Sequence, residues 1–195
     1  MHYCQFRAGE IVIGVETPEK LDVKEPYNLF LTENEKENVL VRFGYTENIS
    51  LSGKTITETD TFVLTEDEEN LHFYYHVAGD NEYYAERIVK KENPVFYNIL
   101  IPEKYTGNIW TRLVFSLINF EDLAAHVGAS VFHSSVIDIG GEAVLFTAPC
   151  GTGKSTQAAL WEKYRHAFII NGDKSMIYEK DGVCLVSGVP FSGSS

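Results

Sequence analysis

At 195 residues and 22.0 kDa the chain has room for one large domain or two small ones, and 44% hydrophobic content suffices for a packed core. A net charge of −12 with a pI near 4.9 argues against a surface that follows nucleic-acid or anionic-lipid phosphates, which such a field repels except at a local basic site. Cys4, Cys150 and Cys184 fall in no CxxC or metal spacing, and there is no signal peptide or apolar run of about eighteen residues, so a soluble cytoplasmic protein is expected.

From its first residues the chain alternates short β-prone runs with turn clusters. His2 to Phe6 and Ile11 to Glu16 flank Arg7-Ala8-Gly9-Glu10 as a hairpin-like pair, and Val39 to Tyr45 puts Val39, Val41, Phe43 and Tyr45 on one face. Thr61 to Leu64 and Leu71 to Val77 are further strands. The acidic residues Glu66 to Glu69 between them read as a solvated hairpin tip, a contact for a basic partner being the other reading. The turn Gly79-Asp80-Asn81 leads into Tyr83 to Lys90, and Val95 to Ile101 closes the series between Pro94 and Pro102. This succession predicts an antiparallel β-rich region over residues 1–106. Its tyrosines Tyr74, Tyr75, Tyr83 and Tyr84 are read as packing, with a ligand groove as the alternative.

Between Gly107 and Gly128 the period changes. Trp110, Leu113, Val114, Leu117 and Ile118 recur at helical spacing, Asn119 and Phe120 interrupt, Glu121 to Val127 resumes, and Gly128 is a natural stop. Residues 107–128 are therefore expected to form a connecting helix, with His126 on its surface.

Ala129 to Ile139 reads as a strand, and Gly140-Gly141 turns it into the apolar run Glu142 to Thr147. If these two strands pair antiparallel, His133 lies near the start of the segment that follows. That segment, Ala148-Pro149-Cys150-Gly151-Thr152-Gly153-Lys154-Ser155, fits the phosphate-loop pattern GxxxxGK[ST] with Ala in place of the first Gly. Successive backbone N–H groups must turn inward to cup phosphate oxygens, and Gly151 and Gly153 tolerate the backbone angles this needs. Lys154 supplies a point charge for the β and γ phosphates. Ser155 can ligate Mg²⁺ at the start of a helix running to Tyr164, whose N-terminus adds positive field. Cys150 within the loop is read as a buried, unreactive thiol, with redox-sensitive binding as the alternative.

Ala167 to Ile170 is a short apolar strand ending in Asn171-Gly172-Asp173, and Ser175 to Tyr178 with Val183 to Ser187 form a last hairpin. A carboxylate at such a strand end is where nucleotide enzymes keep a metal ligand or base, yet an Asp in an Asn-Gly turn has an equal claim. Likewise His133 on spacing alone reads as a hydrogen-bonded core residue.

Residues 129–195 resemble the catalytic domain of HPr kinase/phosphorylase and the wider HPr-kinase-like group, relatives of the ATP-dependent phosphoenolpyruvate carboxykinases. Three features carry the resemblance in order: His133 opening a strand, the loop whose Lys154 follows 154 − 133 = 21 residues later, and the strand ending at Asp173. The resemblance implies a mixed α/β fold, a carboxykinase-like P-loop domain with a mixed sheet. It implies ATP and Mg²⁺ as cofactors, with Ala148, Cys150, Gly151, Thr152, Gly153, Lys154, Ser155 and Thr156 around the nucleotide. Ser155 and Asp173 would hold the metal, and Asp173, His133 and Lys154 would serve the transfer. The implied activity is an ATP-dependent kinase acting on a hydroxyl, a serine of a peptide or protein or else a small molecule, without nucleic-acid or membrane partners. The family's paired aspartates appear here as Asn171-Gly172-Asp173, the first hundred residues do not look like the HPr-kinase N-terminal domain, and the chain stops early at Gly188 to Ser195. A truncated member is therefore expected, with a non-catalytic ATP-binding or sensing module as the alternative.

Overall fold

Burial alternates along Val39, Val41 and Phe43, all at most 1% exposed, whereas Ile11 to Val15 are buried without a break. The first pattern is a strand with one core face; the second is a strand covered on both faces, and such runs belong to sheet interiors. In the computed structural model, which describes residues 1–80, 82–107 and 109–190, both are interior strands of a nine-stranded sheet. Asn81 of the expected turn, Asn108 of the connecting stretch and the terminal residues 191–195 lie outside the described residues.

The strands are β1 (His2–Ala8), β2 (Ile11–Thr17), β3 (Leu31–Thr32), β4 (Val39–Thr46), β5 (Lys54–Glu58), β6 (Phe62–Glu66), β7 (Asn70–His76), β8 (Tyr83–Lys90) and β9 (Asn93–Pro102), in the spatial order β3-β1-β2-β4-β9-β8-β7-β6-β5. The expectation of a purely antiparallel region is corrected here. β4 runs parallel to both neighbours, pairing Ile13 with Val39 on one side and Leu40 with Phe96 on the other. The cause is connectivity: a long excursion separates β2 from β4, and the meander β5 to β8 separates β4 from β9, so each return enters in the same direction. Tyr74 is fully buried, with Tyr83 5.5 Å away ring to ring, and Tyr75 lies 6.2 Å from Tyr84, which is packing.

The connecting stretch forms two helices, α1 (Thr111–Leu117) and α2 (Phe120–His126), in place of one. Ile118 is extended, and Asn119 caps α2 by accepting the Asp122 amide on its side chain, so the chain restarts a helix there. His126 is exposed. The chain divides at this point into two compact units, residues 1–6, 12–24 and 31–118 in the first and residues 7–11, 25–30 and 119–195 in the second.

Within the first unit Phe115 of α1 meets Phe6 edge-on at 5.0 Å, and Arg87 is buried between aromatic rings, 3.9 Å from the centroid of Phe73 and 5.1 Å from that of Tyr97. Its Nη1 donates to the Leu117 carbonyl at the end of α1, where a cation complements the helix dipole.

The second unit holds β10 (Ser130–Ile139), β11 (Glu142–Thr147), α3 (Lys154–Arg165), β12 (Phe168–Asn171), β13 (Lys174–Lys180) and β14 (Val183–Gly188). Its sheet has the order β11-β10-β13-β14, with β12 also on β10. The resemblance implies a mixed sheet, whereas among the described residues every pairing here is antiparallel. The protein is thus mixed α/β and strand-rich with two sheets. No helix among the described residues is long and apolar enough to cross a membrane.

The β6–β7 turn tests its own electrostatics. His72, buried, places Nδ1 2.8 Å from Glu86 Oε1 and Nε2 3.0 Å from Asp67 Oδ2. The expected solvated acidic tip is therefore partly a binding partner for a core histidine. That contact, followed by backbone N–H groups of Asn70 and Glu69, holds the Asp67 carboxyl well below the usual carboxylate range. A carboxyl depressed in the folded state stabilises above its unfolded pKa, near 3.9, and loses that contribution as pH falls through the folded value. The urea midpoint should therefore drop below about pH 4, and Asp67→Asn should flatten this acid limb. An unchanged limb in the variant would reject the coupling.

Candidate functional site

Gly140 and Gly141 both adopt positive φ, 68° and 88°, and close a two-residue hairpin that locks β10 against β11. The resulting register sets Ser134 opposite Thr147, so His133 stands one residue from the point where β11 ends and the loop begins. β11, α3 and β12 form a strand-helix-strand crossover. Because β10 lies between β11 and β12 and is antiparallel to each, those two strands run in the same direction. Their C-terminal ends, and the part of β10 that carries His133, therefore fall at one end of the sheet. This explains both the all-antiparallel neighbours and the gathering of the loop, Asp173 and His133.

The crossover is held by a small apolar core. Ile137, Ala158 and Ala167 are buried, with Ile139, Val144, Phe146, Trp161 and Ile169 packed around them. Only Ala158 of α3 is fully buried, so one turn of the helix bears on the sheet and its N-terminus stays open.

In the loop Gly151 has φ 78° and Gly153 φ 93°, both in the region that L residues avoid. A Cβ on Gly151 would meet nothing within 4 Å, so it is the backbone angle and not crowding that favours glycine there. Thr152 Oγ1 donates to the Pro149 carbonyl at 2.7 Å, and Lys154 Nζ donates to the carbonyls of Ala148 at 2.9 Å and Pro149 at 3.3 Å. The lysine thus spans its own loop. Ser155 and Thr156 follow in the first turn of α3, which contains no acidic residue, and both are exposed. Cys150 is exposed too, which corrects the expected buried thiol: it lies in the turn between β11 and α3, where no element covers it. By contrast burial pushes the Cys4 thiol up to about 11.

At the strand end, His133 Nδ1 lies 3.1 Å from Asp173 Oδ1, with the histidine half exposed and the aspartate a quarter exposed. The Asp173 carbonyl accepts the Ser134 amide at 2.9 Å, which joins backbone and side chain of the two strands at one place. Ser155 Oγ donates to the Gly172 carbonyl at 3.2 Å, so the helix start and the Asp173 corner are also in contact.

Two residues of this site were not singled out from sequence. Asn171 accepts the amides of Asp173 and Lys174 on Oδ1, at 2.9 and 3.1 Å, and donates from Nδ2 to the Val189 carbonyl at 3.2 Å. Its signal was the Asn-Gly turn chemistry itself. Ser135, buried, donates to the Gly172 carbonyl at 2.9 Å, and its spacing carried no signal.

The arrangement fits the groups that the motif implies. A helix N-terminus offers unpaired N–H groups, glycines supply the left-handed backbone of the loop, and the Lys154 ammonium is held by two loop carbonyls. Among the described residues no cluster of three or more His, Cys, Asp or Glu side chains could hold a metal alone. A cation here would need one carboxylate, one hydroxyl and phosphate oxygens, the donor set that suits Mg²⁺.

Comparison with family models, with curated proteins and with solved structures finds no match for this chain.

Gly153 at φ 93° offers a test that needs no ligand. Gly153→Ala should cost about 1–2 kcal/mol of unfolding free energy, because Ala in that conformation is strained. A urea midpoint equal to wild type would mean that the loop relaxes into another conformation.

Proposed function

We propose that the second unit binds ATP with Mg²⁺ and transfers the γ-phosphate to a hydroxyl, as a kinase of the HPr-kinase-like group. One observation supports this reading above the rest: a loop with left-handed Gly151 and Gly153 on a helix N-terminus shares a sheet end with a paired aspartate and histidine. The backbone of Ala148 to Ser155 and Thr156 would surround the phosphates. Lys154 would exchange its two loop carbonyls for phosphate oxygens, replacing neutral acceptors by charged ones.

Ser155 and Asp173 would hold Mg²⁺, which when bound neutralises charge on the phosphates. Asp173 has an oxygen for each duty: Oδ1 faces His133, while Oδ2 makes no hydrogen bond to the described residues. The pair of Asp173 and His133 would take the proton of the acceptor hydroxyl as its oxygen attacks the γ-phosphorus and ADP leaves. An alcohol of a peptide, a protein or a small molecule satisfies this chemistry equally. The engagement of Asp173 by His133 also suits a sensing module that binds ATP without transfer.

The cysteines supply a direct test of binding. Cys150 and Cys184 are exposed and Cys4 is shielded, so two thiols should react readily with a thiol reagent. MgATP should slow labelling of Cys150 at least about tenfold and leave Cys184 unchanged, and Lys154→Ala should abolish the protection. Equal labelling of Cys150 with and without MgATP sinks the nucleotide site.

Chemistry is tested separately. Asp173→Asn should retain protection of Cys150 while losing phosphate transfer by about 10³-fold or more, followed as ADP release with peptide and small-alcohol acceptors. If wild type protects Cys150 but never turns over, the sensing module stands and the kinase does not.

A further inference from the structure

Three groups meet beneath the start of α3. The Gly172 carbonyl accepts Ser135 Oγ at 2.9 Å and Ser155 Oγ at 3.2 Å, and the two hydroxyl oxygens are 3.4 Å apart. A carbonyl oxygen has two lone pairs, and here both are taken by hydroxyl protons. With its proton directed to Gly172, Ser155 turns its own lone pairs away from the carbonyl. That is the orientation in which a serine oxygen can ligate a cation.

Ser135 is fully buried on β10, and it holds the Gly172 peptide at the place where the chain leaves β12 and enters β13. The β10–β12 register slips between Val136 and Ile137, right beside it. Besides Ser135, the Gly172–Asp173 corner is held by the Asn171 side chain, the Ser134 amide, the Ser155 hydroxyl and His133, and of these side chains Ser135 alone is fully buried. We infer that Ser135 is a positioning residue for the metal site, bracing the Gly172 carbonyl so that Ser155 and Asp173 present their oxygens to one Mg²⁺. This rests on the nucleotide reading above. It goes further by naming a residue that touches neither nucleotide nor metal and acts through Gly172 and Ser155.

Ser134 provides the control. It is equally buried, but its hydroxyl meets Ser175 Oγ at 2.5 Å and takes no part in the Gly172 contact. Ser134→Ala therefore removes a buried hydroxyl of the same strand without touching the brace.

The experiment measures ATP binding by fluorescence or calorimetry across a Mg²⁺ titration, and again in excess EDTA, for wild type, Ser135→Ala and Ser134→Ala. Loss of an outer partner of a metal ligand weakens metal affinity by about 10–100-fold. Ser135→Ala should thus shift the Mg²⁺ half-saturation upward by that factor while affinity in EDTA stays within about twofold of wild type. Ser134→Ala should shift neither. Should Ser135→Ala fail to fold, Ser135→Cys retains the volume with a weak donor and should show the same split.

An unshifted Mg²⁺ half-saturation, an equal shift in Ser134→Ala, or parallel losses with and without metal would overturn the positioning role while leaving the nucleotide site intact. Wild type that binds ATP identically in Mg²⁺ and EDTA would remove the metal site and this inference with it. Wild type that binds no ATP in either condition would remove the nucleotide reading itself.

Discussion

Hydrogen bonding along both edges of β10 is the constraint from which the second unit's geometry follows. One edge pairs with β11 from Ser134 to Ile139; the other is shared between β13, from Ser130 to His133, and β12, from Val136 to Asp138. A one-residue slip in either pairing would turn every side chain to the opposite face. The diglycine hairpin fixes the first register, and the apolar residues Ile137 and Ile169 oppose a slip in the second. His133 and Asp173 meet only because both registers hold at once.

Polar groups make this end of the sheet costly to misassemble. Ser134, Ser135 and Ser175 are all fully buried, and each hydroxyl has a partner. Losing one partner would leave a desolvated hydroxyl or carbonyl, at about 1–3 kcal/mol. The apolar core beneath α3 has three fully buried residues, so these hydroxyl contacts contribute a large share of what specifies the local arrangement. The first unit uses the same device with charge. Arg87 and His72 are buried cation-capable side chains held by rings, a helix-end carbonyl and carboxylates, though Arg87 Nε finds no acceptor.

How much of this was legible in the sequence depends on how local its cause is. The hairpin at Gly140-Gly141, the loop at Ala148 to Ser155 and the helix after it follow from neighbouring residues, and each stands where its residues put it. The meeting of His133 with the loop needed only one antiparallel pairing, which the diglycine turn announced. Parallel pairing of β4 was hidden because its partners lie far along the chain, although the unbroken apolar run Ile-Val-Ile-Gly-Val already pointed to a strand covered on both faces. The strand at Lys54 to Glu58 was missed because all five residues are exposed and carry no apolar alternation. Ser135 was invisible for a different reason. A serine two positions after a histidine has no pattern, and its contact depends on where the Gly172 carbonyl arrives from 37 residues away.

The single carboxylate of Asn171-Gly172-Asp173 reads differently once Asn171 is seen in place. Its Oδ1 accepts two backbone amides, a role that an aspartate could share, but its Nδ2 donates to the Val189 carbonyl. An aspartate has only acceptors when ionised and would set its charge against that carbonyl. The asparagine is therefore a corner-former committed on both of its polar atoms, and it cannot stand in for a second metal ligand or base. Under the proposed kinase reading, the metal-binding and proton-accepting duties would fall on Asp173 together with His133, to which one of its oxygens is already turned.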